Sequence, residues 1–157
     1  RWMGRVDGGR REVPIAKQIA EAICEELAAF GLRGRYAGDM RPPYSEHLWV
    51  NNEVYMRGCK HAIAVFDGMP GHDEVTCGTN HNVLVEAGFM WGKGADVLIL
   101  RDPKLAPPLT TDLNGILHAT FDQTQLGLVE LRDEVRAWAK GIAEKIAKPE
   151  NEAQAED

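Results

Sequence analysis

No apolar run in this chain approaches the length of a transmembrane helix or of a signal-peptide core, so a membrane-spanning helix is excluded among these residues and no membrane partner is expected. An excess of positive charge is also missing. Lysine and arginine number 18 against 24 aspartates and glutamates, for a net charge of -6. Affinity for a phosphate backbone is carried by surplus cations, so nucleic acid is excluded as the main partner and a small soluble ligand fits better. Cysteine is scarce: Cys24, Cys59 and Cys77 are odd in number and unrelated in spacing. They make no disulfide framework and suit a reducing, cytoplasmic setting. Zinc patterns are lacking too, because His72, Cys77 and His81, with Cys59 and His61 nearby, match no finger or H-E-x-x-H spacing, and no metal site is expected. Gly92-Lys93-Gly94 ends a helix instead of linking a strand to one, so it is no dinucleotide fingerprint. With no internal repeat and no interior linker, the chain reads as one domain over residues 1–148 and a frayed acidic tail over 149–157.

What is present, 44% hydrophobic and 27% charged side chains, is the composition of a globular chain with a real core. Its most informative stretch is NHNVLVEAGFM, Asn80 to Met90, where a single acidic residue, Glu86, stands among Val83, Leu84, Val85, Ala87 and Phe89. A carboxylate buried among apolar side chains is destabilising unless something compensates for it. Directly upstream, HAIAVFD, His61 to Asp67, reads as a buried strand of a parallel sheet. A helix is expected from Asn80–Asn82 to Gly92 or Gly94. In an open α/β sheet the ligand crevice lies outside the carboxyl ends of the strands, where the following helices begin. Glu86 then falls in the second helical turn, with Asn82 one turn earlier on the same face.

In chain order, Arg1 to Glu12 is basic, glycine-rich and without period, and the opening on Arg1 rather than methionine suggests a processed fragment or a piece of a longer protein. Pro14 suits a first helical turn, and Ile15, Ile19, Ala22, Ile23, Leu27 and Phe30 recur at helical spacing until Gly31. A first strand is expected before that helix; either Trp2-Met3 and Val6 are its remains or it lies upstream. Arg35-Tyr36-Ala37 is a short strand candidate. Ser45 is placed to cap a helix that carries Leu48, Val50, Val54, Tyr55 and Met56 and ends at Gly58. Val97 to Leu100 and Ile116 to Phe121 read as further strands. The last helix, Gln125 to Lys148, sets Leu128, Leu131, Val135, Trp138, Ile142 and Ile146 on one stripe. Alternating helices and strands predict a three-layer α/β domain with a mostly parallel sheet.

NHNVLVEAGFMWGKGADVLIL, with HAIAVFD before it and TTDLNGILHATFD after it, resembles the TIR-like and nucleoside 2-deoxyribosyltransferase-like group of flavodoxin-type domains. Its Asn-x-x-x-Glu-x-Gly helix pattern is matched by Asn82, Glu86 and Gly88, and its Thr-Asp-Leu segment by Thr111, Asp112 and Leu113. The likeness spans Arg35 to Asp122 and is most specific at the glutamate helix. It implies a flavodoxin-like fold, a catalytic role for Glu86, Asp112 among the substrate contacts, and attack on the N-glycosidic bond between a ribose and a base. The implied substrate is NAD, consumed with release of nicotinamide and with no separate cofactor. It also implies a homo-oligomer or a fused regulatory domain, as in prokaryotic antiviral defence effectors. A nucleoside deoxyribosyltransferase or nucleotide N-glycosidase is the neighbouring alternative, and a nucleotide-binding or self-association module without turnover is the alternative of another class.

The chemistry is coherent by itself. Breaking an N-glycosidic bond passes through an oxocarbenium-like state that a carboxylate under C1′ stabilises or traps. Nicotinamide in NAD already carries positive charge and leaves without protonation, whereas a neutral base also wants a general acid. Asp39 and Asp67, each just past an expected strand, are candidates for that acid or for gripping ribose hydroxyls; both are equally ordinary strand-end turn residues. Asn82 reads as a helix cap or a ligand contact, and Glu86 itself as a solvated helix carboxylate if the likeness is set aside. Trp49 and Trp91 are candidates for stacking on a base or a nicotinamide ring, or for the core. Gly68 to Thr79 reads as a flap over the crevice.

Overall fold

The computed structural model describes residues 15–36, 47–66, 81–104 and 118–148. Two compact units emerge: one runs from Arg35 to Leu131, and the other joins Arg1–Gly34 to Arg132–Asp157.

The unit from Arg35 to Leu131 holds the sheet. Strand β1 (His61–Phe66) lies parallel to β2 (Asp96–Arg101), and β2 lies parallel to β3 (Ala119–Thr120), in the spatial order β1-β2-β3. Register pairs His61 with Asp96 at one end and Phe66 with Arg101 at the other. Helix α2 (Leu48–Gly58) precedes β1, and helix α3 (His81–Gly92) crosses from β1 to β2. Parallel strands joined by one helix force that helix to run back against them. The first turns of α3 are therefore at the carboxyl end of the sheet.

Why α3 sits there follows from its spacing. Val83, Leu84, Ala87 and Trp91 recur at helical intervals and meet Ala64 and Phe66 of β1 and Val97 and Ile99 of β2. Phe66 and Ile99 are almost fully buried, and each such side chain stabilises the unit by about 1.5–3 kcal/mol. Leu100, on the other face of β2, is fully buried as well, so both faces of this strand are covered. Gly94, with φ of 81°, closes α3: its N–H donates to the Trp91 carbonyl, while the Ala95 N–H reaches Met90. A left-handed residue at that position is easiest for glycine. The Lys93 ammonium donates to the carbonyls of Met56, Arg57 and Cys59, serving acceptors at and just past the end of α2.

In the other unit, α1 (Ile15–Ala28) buries Ile19, Ala22, Ile23 and Leu27, and Gly31 follows its end as the spacing predicts. Helix α4 (Val129–Ala147) begins in the sheet unit and continues into this one. Arg132 and Arg136 of α4 both donate to Glu26 of α1, at 3.1 and 3.0 Å.

Several expectations are corrected. Arg35 and Tyr36 are exposed and outside any strand, since neither side chain has an apolar layer to join; Ala37 lies outside the described residues. Of the expected Ile116–Phe121 strand, Ile116 and Leu117 lie outside the described residues; among the described ones, Ala119 and Thr120 pair with β2. The strand stops because the Asp122 side chain captures the N–H and hydroxyl of Thr124, turning the chain. The last helix does not start at Gln125: a 3-10 turn, Leu126–Leu128, comes first, with Gly127 at φ 76° and Leu128 at φ 51°. Burial of Leu128 holds that left-handed backbone, which costs about 1–2 kcal/mol. The buried stripe of α4 runs through Leu131, Val135, Ala139 and Ile142, leaving Ile146 exposed and Trp138 only partly covered. At α2 the capping position is His47, without a side-chain cap bond; Ser45 lies outside the described residues. Among the described residues no helix is long and apolar enough to cross a membrane.

Candidate functional site

The seam between α2 and α3 carries the chemistry. Helix α3 turns Val83, Ala87 and Trp91 toward the sheet, which leaves Asn82, Glu86, Phe89 and Lys93 on a second stripe at i, i+4, i+7 and i+11. That stripe meets α2. Asn52 Nδ2 donates to Glu86 Oε1 at 2.7 Å, the Trp49 ring stands edge-on to Phe89 with centroids 6.4 Å apart, and the Arg57 guanidinium lies 5.6 Å over the Phe89 ring.

Glu86 is half-buried, and its pKa is raised from the ordinary glutamate value first by burial, with the Asn52 bond opposing the rise. Its other oxygen, Oε2, has no hydrogen-bond partner among the described residues. A desolvated carboxylate with one oxygen anchored and one available can stabilise positive charge or attack an electrophilic carbon. Asn52 is itself unusual: Oδ1 is buried and accepts no hydrogen bond among the described residues, a deficit that costs about 1–3 kcal/mol.

A second carboxylate stands at the carboxyl end of the sheet and serves another purpose. Asp102, immediately after β2, is fully buried; Oδ1 accepts the Lys104 N–H at 2.9 Å and Oδ2 the Gln123 N–H at 3.0 Å. Its own N–H donates to the Phe66 carbonyl. All three strand ends are thereby tied together, and the carboxylate is engaged at both oxygens and shut off from solvent. Arg101, the last residue of β2, alternates onto the α3-facing side with Val97 and Ile99. At the outer rim Lys104 bonds Asp122, whose carboxyl is held at about 2, mainly by Lys104 and then by Thr124.

Of the residues singled out in the sequence, Glu86, Asn82 and Trp49 lie along the α2–α3 seam. Asn82 is exposed one turn before Glu86, and Trp49 is 44% exposed. Asp39, Asp67 and Asp112 lie outside the described residues, as do Gly68 to Thr79, expected as a flap. Trp91 packs against the sheet and belongs to the core. His61 faces Asp96 at 3.6 Å where β1 and β2 begin, the end of the sheet away from the first turns of α3. Sequence reasoning missed Asn52, Arg101 and Asp102. Asp102 had a legible signal, an aspartate directly after an apolar strand; Asn52 had none, because its meaning depends on the helix opposite. Comparison with known protein families, with characterised proteins and with solved structures gave no match.

Proposed function

We propose that this chain is an N-glycosidase acting on a nucleotide, NAD in the first instance, with Glu86 as the reacting carboxylate. The carrying observation is the state of Glu86: half-buried, on the helix that opens at the carboxyl end of a parallel sheet, with one oxygen held by Asn52 and the other unpartnered among the described residues. In the reaction the C1′–N bond breaks and its electron pair passes to the ring nitrogen, so nicotinamide leaves neutral. The Glu86 carboxylate meets the positive charge that develops on the ribose carbon, and water then supplies the oxygen at C1′ and releases a proton. Trp49, exposed on the same seam, offers a surface for the departing ring. Burial of both faces of β2 supports a three-layer, flavodoxin-like arrangement of the TIR-like kind. In this reading the domain is a defence effector, a homo-oligomer or one part of a larger regulated chain.

The test is chromatographic. Concentrated protein is incubated with NAD, and separately with deoxynucleosides, as wild type and as Glu86→Gln, which keeps shape and hydrogen bonding but removes the charge. Nicotinamide release by the wild type alone supports the reading. Free-base release or base exchange from deoxynucleosides alone moves the protein to the transferase class.

A second reading is favoured by one observation: Trp49, Val50 and Val54 of α2 and Val85 of α3 are all at least 40% exposed. Such a surface suits a self-association module in which Glu86 only holds a ribose hydroxyl. Failure of both substrates under conditions that promote assembly makes that the better account.

A further inference from the structure

We infer that Asn52 is the positioning residue of the reacting carboxylate: its amide N–H fixes Glu86 Oε1 at 2.7 Å, so that Oε2 alone addresses the ligand. The inference rests on Glu86 being the reacting group. Turning the carboxamide over would set Oδ1 against a carboxylate oxygen, acceptor against acceptor, so the charge on Glu86 dictates which end of Asn52 faces it. The opposite end then stays buried and accepts nothing among the described residues. A side chain kept for packing alone has no reason to carry that deficit, since an apolar residue of similar size avoids it. An amide also suits the task better than a cation: it holds the oxygen without neutralising the charge the reaction needs.

Among the described residues of α2, α3 and its end, the other charged groups are engaged elsewhere. On α2, Glu53 and Arg57 pair with each other; on α3, Lys93 caps the end of α2. The sheet side of α3 meets Ala64, Phe66, Val97 and Ile99, and among the described residues Arg101 at the strand end is the titratable group on that face.

The experiment is a carbon-detected NMR titration of the side-chain carboxyls in the full chain, with the Glu86 signal assigned by its loss in Glu86→Gln. Asn52→Leu should raise the Glu86 midpoint by about half a pH unit or more, because a bond favouring the ionised form is gone. Asn52→Asp, the isostere, should raise it further, since two adjacent carboxylates share a proton. The acidic limb of nicotinamide release should move up with the midpoint, and kcat on the neutral plateau should fall about tenfold with KM for NAD little changed. A midpoint that stays put in both variants overturns the inference. A midpoint that moves while even the wild type leaves NAD intact upholds the grip of Asn52 on Glu86 and overturns the hydrolase reading.

Discussion

Glu26 and Glu86 are both helix glutamates withdrawn from solvent, one in each unit, and they are compensated in opposite ways. Glu26 on α1 is 9% exposed, and each of its oxygens meets a guanidinium, Arg132 on Oε1 and Arg136 on Oε2. Glu86 has one neutral amide on one oxygen. A carboxylate that serves the fold is expected to be paired on both sides, because an unpaired buried charge is destabilising. One that serves a ligand must keep something in reserve. Asp102 falls on the structural side of this division although it stands at the carboxyl end of the sheet, since two backbone N–H groups engage both of its oxygens.

The largest expected effect breaks the comparison at the reactive end. Glu86→Gln should lower nicotinamide release by at least about 10²-fold, the scale on which catalytic carboxyl groups act. The amide retains an oxygen for Asn52, so the variant should fold as the wild type does, checked by circular dichroism. An equally active variant would remove Glu86 from the mechanism and place it beside Glu26 as a residue of the fold.

At the structural end the ranking reverses. Glu26→Leu leaves Arg132 with Glu25 and Arg136 with Asp133 as remaining partners. Breaking a fully buried pair costs about 3–5 kcal/mol. Both arginines are partly exposed, which screens the pair, so about 1–3 kcal/mol is expected here from urea denaturation at neutral pH. Nicotinamide release should be unchanged where the variant is folded. Glu86→Leu, by contrast, should change stability less, since the removal of a poorly compensated charge is offset by the loss of the acceptor for the Asn52 amide.

Much of this was legible in the sequence, and the reasons for the rest are local. The β1–α3–β2 unit could be read because apolar periodicity changed sharply at Phe66 and again at Gly94, and because its helix has a glycine stop. Glu86 stood out as an acidic residue in an apolar run. Asn52 could not be read, because nothing in LWVNNEVYMRG says which of two adjacent asparagines faces a glutamate 34 positions later. The start of α4 was misplaced for a similar reason: Leu128 fits the helical stripe in type, but the left-handed backbone at Gly127 and Leu128 delays the helix to Val129. Periodicity reports residue type, and it is blind to a turn inserted between residues of the right type.

A pH comparison sharpens the contrast further. Glu86 has a raised pKa, so the folded state binds its proton more tightly than the unfolded chain does. Its ionised form is therefore a burden that grows as pH rises from the ordinary value of 4.5 through the folded value. The thermal midpoint of Glu86→Gln relative to wild type should increase from pH 4 to pH 7, by an amount on the order of a few degrees at most. A difference that does not change with pH would mean that burial does not perturb this carboxyl.

The smallest effect, and the one with the opposite slope, belongs to Asp122. Its carboxyl is depressed from 3.8 to about 2, first by Lys104 and then by the hydroxyl and N–H of Thr124. A depressed carboxyl contributes stability above its unfolded value and loses it as pH falls toward the folded one, here between 3.8 and about 2. Asp122→Asn keeps an oxygen for Thr124 and gives up only the charge opposite Lys104. It should lower the thermal midpoint slightly at neutral pH, and the deficit should close as pH falls through that interval. Because the pair is solvent-exposed, about 1 M salt, with a Debye length near 3 Å, should remove most of the deficit at neutral pH as well. Salt should leave the pH-dependent difference at Glu86 largely intact, since desolvation rather than a neighbouring charge is its main cause. Parallel responses to salt at the two sites would mean that Glu86 is governed by a charge and not by its burial, and the distinction drawn between the two carboxylates of the seam and the fold would fail at its physical root.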